Sequence, residues 1–183
     1  ATEEGLMRPA EIFRFCPRCG APRSDENVGH TPLTCAACGF TFYFNPTVAG
    51  AAFVFRPDGQ VLLIRRAKDP AAGKLGVPGG FTDFGETAEE GMRREVREEV
   101  GLELANVRFV TSFPNLYLYR EVLYPVVDLY FAADAVTPDC AAALDGVRSI
   151  EWWHPGDIPD NEIAFESIRV ALAALRGSMG EPR

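Results

Sequence analysis

No stretch of this sequence approaches the ~18 consecutive apolar residues of a helical membrane span, and Ala1 to Phe15 mix charged with scattered apolar residues instead of forming a signal-peptide core. Cationic charge is also scarce. Eighteen Lys and Arg against 26 Asp and Glu leave a formal charge of −8, which disfavours long-range attraction to polymeric nucleic acid or an anionic membrane. Neither partner is expected, a cytoplasmic location is, and a chain of this charge that handles phosphate needs metal ions or a local basic patch. Internal repeats and low-complexity tracts are absent too. What is present is globular: 183 residues with 47% hydrophobic, 11% aromatic and 24% charged residues suit one domain with a small appendage.

Four of the five cysteines fall as Cys16-Pro-Arg-Cys19 and Cys35-Ala-Ala-Cys38, two Cys-x2-Cys knuckles fifteen residues apart. This is the spacing of a four-cysteine zinc site, because Zn2+ takes four tetrahedral thiolates and each tight knuckle supplies two. Gly20 and Gly39 follow the knuckles, where a chain turning around a metal often needs positive φ. Two disulfides, a redox pair and iron in place of zinc are the alternatives. Cys140, in an Ala-rich stretch, reads as an unpaired small residue.

The knuckles define a zinc ribbon with an N-terminal extension over 1–44, and Asn45-Pro46 marks its exit, since Pro holds its predecessor out of helix. Residues 45–183 read as one α/β domain. Thr47 to Phe55 and Val61 to Arg65, joined by Pro57-Asp58-Gly59, predict a β-hairpin. A Gly-rich loop spans Asp69 to Gly85. Further strands are expected at Val107 to Phe113, Val126 to Ala133 and Ile150 to Trp153, and a closing helix over Ala164 to Leu175 with Ile168, Ala171, Leu172 and Leu175 on one face.

Thr87 to Val100 is helical by every local signal: Thr87 and Glu90 form a capping box, and Gly101 stands at the C-terminal position. With Val96 at zero, Glu99, Glu95 and Glu98 lie at about −60°, −100° and −160°, while Ala88, Met92, Val96 and Val100 make the adjoining apolar stripe. A solvated acidic face is the bland reading. Against it, the glutamates border the packing stripe and follow a glycine-rich loop able to bring backbone N–H groups to phosphate. Carboxylates at i, i+3 and i+4 suit Mg2+ or Mn2+, which take oxygen ligands and bridge them to phosphates.

Gly80, five residues, Glu86, seven residues, then Arg94-Glu95-Val96-Arg97-Glu98-Glu99-Val100-Gly101-Leu102 resembles the Nudix box, G-x5-E-x7-R-E-U-x-E-E-x-G-U with U aliphatic, at every position. The preceding Gly76-Val77-Pro78-Gly79-Gly80 and the later Trp152-Trp153 with Asp157-Ile158-Pro159 look like the flanks of Nudix domains. The four-cysteine ribbon is similar to that of the NADH pyrophosphatase branch. The resemblance implies a Nudix α/β/α sandwich with a mixed sheet, and hydrolysis of a phosphoanhydride in a nucleoside diphosphate linked to another group, such as ADP-ribose or a dinucleotide. It implies that Glu95, Glu98 and Glu99 hold Mg2+ or Mn2+, that Arg94 orients them, and that Glu86 joins through water or anchors the loop. Gly79 and Gly80 then lie against the substrate. The general base is open among Glu99, Glu98 and a carboxylate of another loop. Related enzymes often add a Glu before the Trp; here that position is Ser149, with Glu151 two residues on carried as a further metal candidate.

One departure bears on substrate. NADH pyrophosphatases usually read S-Q-P-W-P-F after the box, whereas this chain has Ser112-Phe113-Pro114-Asn115-Leu116-Tyr117, so a strong NADH preference is not expected. Phe113 and Tyr117 still offer faces for a base, or serve as strand aromatics. Two readings from other classes remain beside the enzyme: a regulatory nucleotide-binding protein without turnover, against which the intact box speaks, and a zinc-ribbon binding module. For the latter the ribbon's basic patch, Arg14, Arg18 and Arg23 against Asp25 and Glu26, is small; stability or a homodimer contact is its expected role.

Overall fold

The computed structural model describes residues 6–24, 29 and 32–179. The chain forms two compact units, one of Ala1–Pro46 with Leu116–Pro125, the other of Thr47–Asn115 with Val126–Arg183.

In the first unit, a short helix α1 (Pro9–Ile12) begins on proline, whose fixed φ suits a first turn. Strands β1 (Leu33–Thr34) and β2 (Thr41–Phe42) pair antiparallel. The two knuckles repeat one geometry: Gly20 N donates to Cys16 O and Gly39 N to Cys35 O, both at 2.9 Å, and φ is +74° at Gly20 and +70° at Gly39. Phe13, Phe42 and Phe44 pack with ring centroids 5.0–5.6 Å apart. These rings and the buried Leu33 make a small core, which a metal cross-link would reinforce. Met7 adds an edge by bridging Val122, its N–H donating to Glu121 O at 3.1 Å and its carbonyl accepting from Leu123 N at 2.8 Å.

The second unit is built on a mixed sheet. Its strands are β3 (Thr47–Phe55), β4 (Val61–Arg66), β5 (Leu75–Gly76), β6 (Gly79–Phe81), β7 (Leu104–Tyr119), β8 (Val122–Ala135) and β9 (Val147–Trp153), with helices α2 (Ala88–Val100) and α3 (Glu166–Met179). The order is β5-β4-β3-β8-β7, with β6 also on β3 and β9 on β4. β3 and β8 run parallel from Thr47↔Val126 to Phe55↔Asp134. Covered on both faces, such central strands read as near-continuous apolar runs, which is why Ala52, Phe53 and Val54 are all buried. Ala52, Val54, Leu62, Ile64, Phe131 and Ala133 pack on one face with Met92, Val96 and Val100 of α2. Phe53, Val61, Leu63, Tyr130 and Ala132 pack on the other with Ile168, Ala171, Leu172 and Leu175 of α3. The α/β/α sandwich is therefore present, with the apolar stripes of both helices where their spacing puts them. Among the described residues no helix is long and apolar enough to cross a membrane.

Several element bounds differ from expectation. β7 and β8 extend well beyond Val107–Phe113 and Val126–Ala133. Pro114 does not end β7, because β7 lies at the end of the sheet order and an edge strand tolerates a missing N–H. The hairpin turns at Arg120 and Glu121, with φ +46° and +66°, a two-residue turn usually written with Asn and Gly. The Asp69–Gly85 loop contains β5 and β6, both too short to show a period. α3 starts at Glu166, not Ala164, and continues to Met179.

Candidate active site

α2 is fixed at both ends. Thr87 Oγ1 accepts from Glu90 N at 3.2 Å and the Glu90 carboxylate accepts from Thr87 N at 2.8 Å, while Gly101 closes the helix at φ +71°. Its approach to the sheet is set by Gly50 of β3, where a Cβ would lie 2.7 Å from Ala88 O and 2.9 Å from Met92 Cβ. The close contact brings one edge of the helix over β6.

On that edge Arg94 organises three carboxylates. Its Nε and Nη2 reach the two oxygens of Glu86 at 2.9 and 3.0 Å, and Nη1 reaches Glu95 Oε1 at 2.7 Å and Glu98 Oε2 at 3.3 Å. Nη2 also donates to Phe81 O at 3.0 Å, tying the helix to β6. The guanidinium beside Glu86 holds that carboxyl below its usual range, helped by the Asp83 N–H. Arg94 itself is held more firmly protonated, by Glu86 first and Glu95 second.

Glu99 sits apart from this network, accepting from Gly79 N at 2.9 Å. Burial pushes its carboxyl up to about 7; the Gly79 N–H opposes the rise and the charge of Glu95 adds to it. The Glu95 carboxylate lies over Gly80, where a Cβ would be 2.5–2.7 Å from its carbon and oxygens, and a Cβ on Gly79 would collide with Gly50 O. Gly79 is therefore required sterically, whereas a side chain on Gly80 would displace the Glu95 carboxylate. The structure thus brings Glu86, Glu95, Glu98, Glu99 and Arg94 to the Gly79–Gly80 step. The donor set is hard oxygen, and its buried member carries charge at a cost, so a divalent cation fits it.

Glu151 is not brought to this group. It pairs with Leu63 in register, and Leu63 packs on the α3 face, opposite α2. Arg65 holds Glu151 through Nε at 2.5 Å, and Trp153 Nε1 donates to its Oε2 at 3.0 Å. Strand period alone places residues 149 and 151 on one face but does not say which face meets the helix. Phe113 is half-buried on β7 within the second unit, while Tyr117 belongs to the first.

A polar cluster that sequence reasoning missed lies on the α3 face. Asp128 Oδ2 accepts from Ser167 Oγ at 2.6 Å, Asn115 Nδ2 at 2.9 Å and Tyr130 OH at 3.4 Å. The available signal was a lone carboxylate inside the apolar run of β8.

In the first unit the four cysteine Sγ atoms lie within 4.8 Å of one another, with Cys16–Cys38 at 3.8 Å and Cys19–Cys35 at 3.7 Å. Sulfurs placed tetrahedrally ~2.3 Å from one ion stand about 3.8 Å apart, whereas a disulfide needs ~2.05 Å. All four are free thiols, and the geometry is that of a closed metal site. Among the described residues this is the group of three or more ligating side chains that converges so tightly; the glutamates stand wider around Arg94.

The NUDIX domain family model matches residues 45–172. The chain is 34% identical over 112 residues to the mitochondrial NAD(P)H pyrophosphatase of Homo sapiens, covering 61% of this chain and 31% of that protein. It is 29% identical over 143 residues to the ADP-ribose pyrophosphatase of Methanocaldococcus jannaschii, covering 77% and 80%. The chain therefore spans about a third of the human relative's length. Among solved structures, a NUDIX hydrolase from Nitrosomonas europaea superimposes with a TM-score of 0.68 at 26% identity, over 92% of this chain and 94% of that one. With the box glutamates gathered on α2 against a mixed sheet and the family match spanning most of the chain, this protein belongs to the Nudix family.

Proposed function

We propose that the chain is a metal-dependent hydrolase that cleaves the phosphoanhydride of a nucleoside diphosphate linked to another moiety, of the ADP-ribose or dinucleotide type. The observation that carries the reading is the convergence of Glu95 and Glu99 on the side-chain-free Gly79–Gly80 step, with Arg94 drawing in Glu86 and Glu98. Glu95, Glu98, Glu99 and Glu86 are the residues that would hold Mg2+ or Mn2+. When bound, such a cation neutralises the diphosphate, polarises phosphorus and lowers the pKa of an attacking water. Arg94 aligns the carboxylates, and the backbone at Gly79 and Gly80 admits phosphate closely. The four cysteines would hold Zn2+ in a structural role. Phe113, in the unit that carries the glutamates, offers an aromatic face for the base; with Asn115 and Phe113 in place of the Trp and Gln of the NADH branch, hydrolysis extends to ADP-ribose without strong preference for NADH.

The test is turnover of nucleoside diphosphate derivatives with Mg2+ or Mn2+, by the wild type and by Glu99→Gln. The amide retains an acceptor for Gly79 N and loses the charge, so the melting temperature stays nearly constant while turnover falls about 100-fold or more. Full activity in the variant removes Glu99 from the metal set. An NADH kcat/KM more than about tenfold above that for ADP-ribose overturns the substrate reading.

A further inference from the structure

Glu99 is the penultimate residue of α2, in the turn where a helix leaves its carbonyls without intrahelical donors and frays most readily. Glu95 lies one turn further in, where the helix's own bonds hold the backbone. A carboxylate on a fraying turn must be ordered before it can hold a cation, and that ordering lowers affinity. Gly101 closes one of the free carbonyls, its N–H donating to Arg97 O at 3.0 Å. Those of Glu98, Glu99 and Val100 depend on donors from outside the helix.

The segment that joins β8 to β9 supplies two of them. Leu144 N donates to Glu99 O at 2.9 Å and Ala142 N to Val100 O at 3.1 Å. The segment is itself tied down. Leu144 O accepts from Val147 N at 3.2 Å, at the start of β9, and Gly146 O accepts from Ala67 N at 3.0 Å, just beyond β4. Val147 in turn pairs with Arg66. The hold on α2 runs through the backbone, since the Leu144 side chain is 48% exposed. The neighbouring Lys68–Asp145 pair, 3.9 Å apart and exposed on both sides, adds little. Glu99 is thus gripped from two directions, its carboxylate by Gly79 N of β6 at 2.9 Å and its carbonyl by Leu144 N.

We infer that the Leu144 amide is a positioning group for Glu99, and that residues 142–146 brace the last turn of α2 so that the carboxylate stays at the Gly79–Gly80 step. The inference rests on the hydrolase reading, in which Glu99 holds a divalent cation. Without the Leu144 N–H, Gly79 alone restrains the residue and its turn is free to open. Ala142 gives an internal comparison: it makes the same kind of bond at the same helix end, but to Val100, whose side chain is fully buried in the core under α2. The coupling is reciprocal, because a bond that favours metal binding is favoured by bound metal to the same factor.

Amide hydrogen exchange of the wild type, read by NMR with and without saturating Mg2+, tests this without any substitution. Mg2+ slows exchange at Leu144 by about tenfold or more, the usual size of a metal ligand's coupling to its supporting partner, and changes Ala142 much less. Two variants give the converse measurement. Leu144→Pro removes the N–H that holds Glu99, and Ala142→Pro removes the comparison bond; Ala141 is already extended, φ −60° and ψ 130°, as a residue before proline must be. Calorimetric titration with Mn2+ gives Leu144→Pro a Kd about tenfold or more above the wild type, while Ala142→Pro binds as the wild type does, although both melt lower. A merely structural tie lowers both melting temperatures and leaves Mn2+ affinity, and the response of exchange to Mg2+, alike at the two positions; that result overturns the inference. If Leu144→Pro does not fold, the exchange comparison decides by itself. A wild type that binds the cations with Leu144 indifferent to them refutes the brace and leaves the hydrolase reading standing. A wild type that binds neither cation refutes the hydrolase reading, and the inference falls with it.

Discussion

A hydrogen atom is all that Gly80 can present toward α2, because the Glu95 carboxylate occupies the space a methyl group would need. The obstructing atoms are the far end of a flexible side chain. Gly80→Ala therefore leaves the fold intact and swings Glu95 away from its 2.7 Å pair with Arg94. The expected outcome is a melting temperature within about 2 °C of the wild type and a loss of about 10–100-fold in activity or metal affinity, the usual range when a ligand's orientation is disturbed. Unchanged activity would exclude Glu95 from the metal set. Gly79 differs, since a Cβ there meets backbone of β3 and no rotamer relieves it.

The same reasoning separates Gly50, where the obstruction is the Ala88 carbonyl at 2.7 Å and belongs to the helix backbone. Gly50→Ala must push all of α2 outward, a strain of about 1–3 kcal/mol. Its signature is a lower melting temperature together with lower activity, and a variant as stable as the wild type would show that the helix has slack against β3. α2 was legible in the sequence because its determinants are local: the Thr87–Glu90 box, the Gly101 cap, and the Met92, Val96 and Val100 stripe all act within a few turns. The gathering of Glu95, Glu98 and Glu99 on one side of α2 was legible for the same reason. The reach of β7 was not, since it depends on pairing with β8 and on Arg120 and Glu121 adopting positive φ without glycine. Nor were the placement of Glu151 away from α2 and the hold of Ser167 on Asp128. Register decides which face a strand residue meets, and residues 128 and 167 become neighbours only when α3 folds back over the sheet.

At the scale of the whole chain, the four cysteines and the hairpin end share one unit. Dialysed protein is expected to retain one zinc per chain, and elemental analysis showing none, or iron, would remove the zinc assignment. Chelation or Cys16→Ser should raise hydrogen exchange in residues 6–24 and 32–46 and, with them, in Leu116–Pro125, while α2 keeps its protection. Protection of the hairpin end that is indifferent to the metal would separate it from the ribbon.

The assembly of that unit from two stretches of chain also imposes an order in time. Both knuckles are complete once Gly39 has been made, but Glu121 and Leu123, the hydrogen-bond partners of Met7, lie more than 80 residues later. At roughly 5–20 residues per second, a ribosome needs about 4–17 s to supply them. Throughout that interval the early segment has its four thiolates and its three phenyl rings but not its edge partner. A metal held by the four thiolates would cross-link the early segment during that interval, before its edge partner exists.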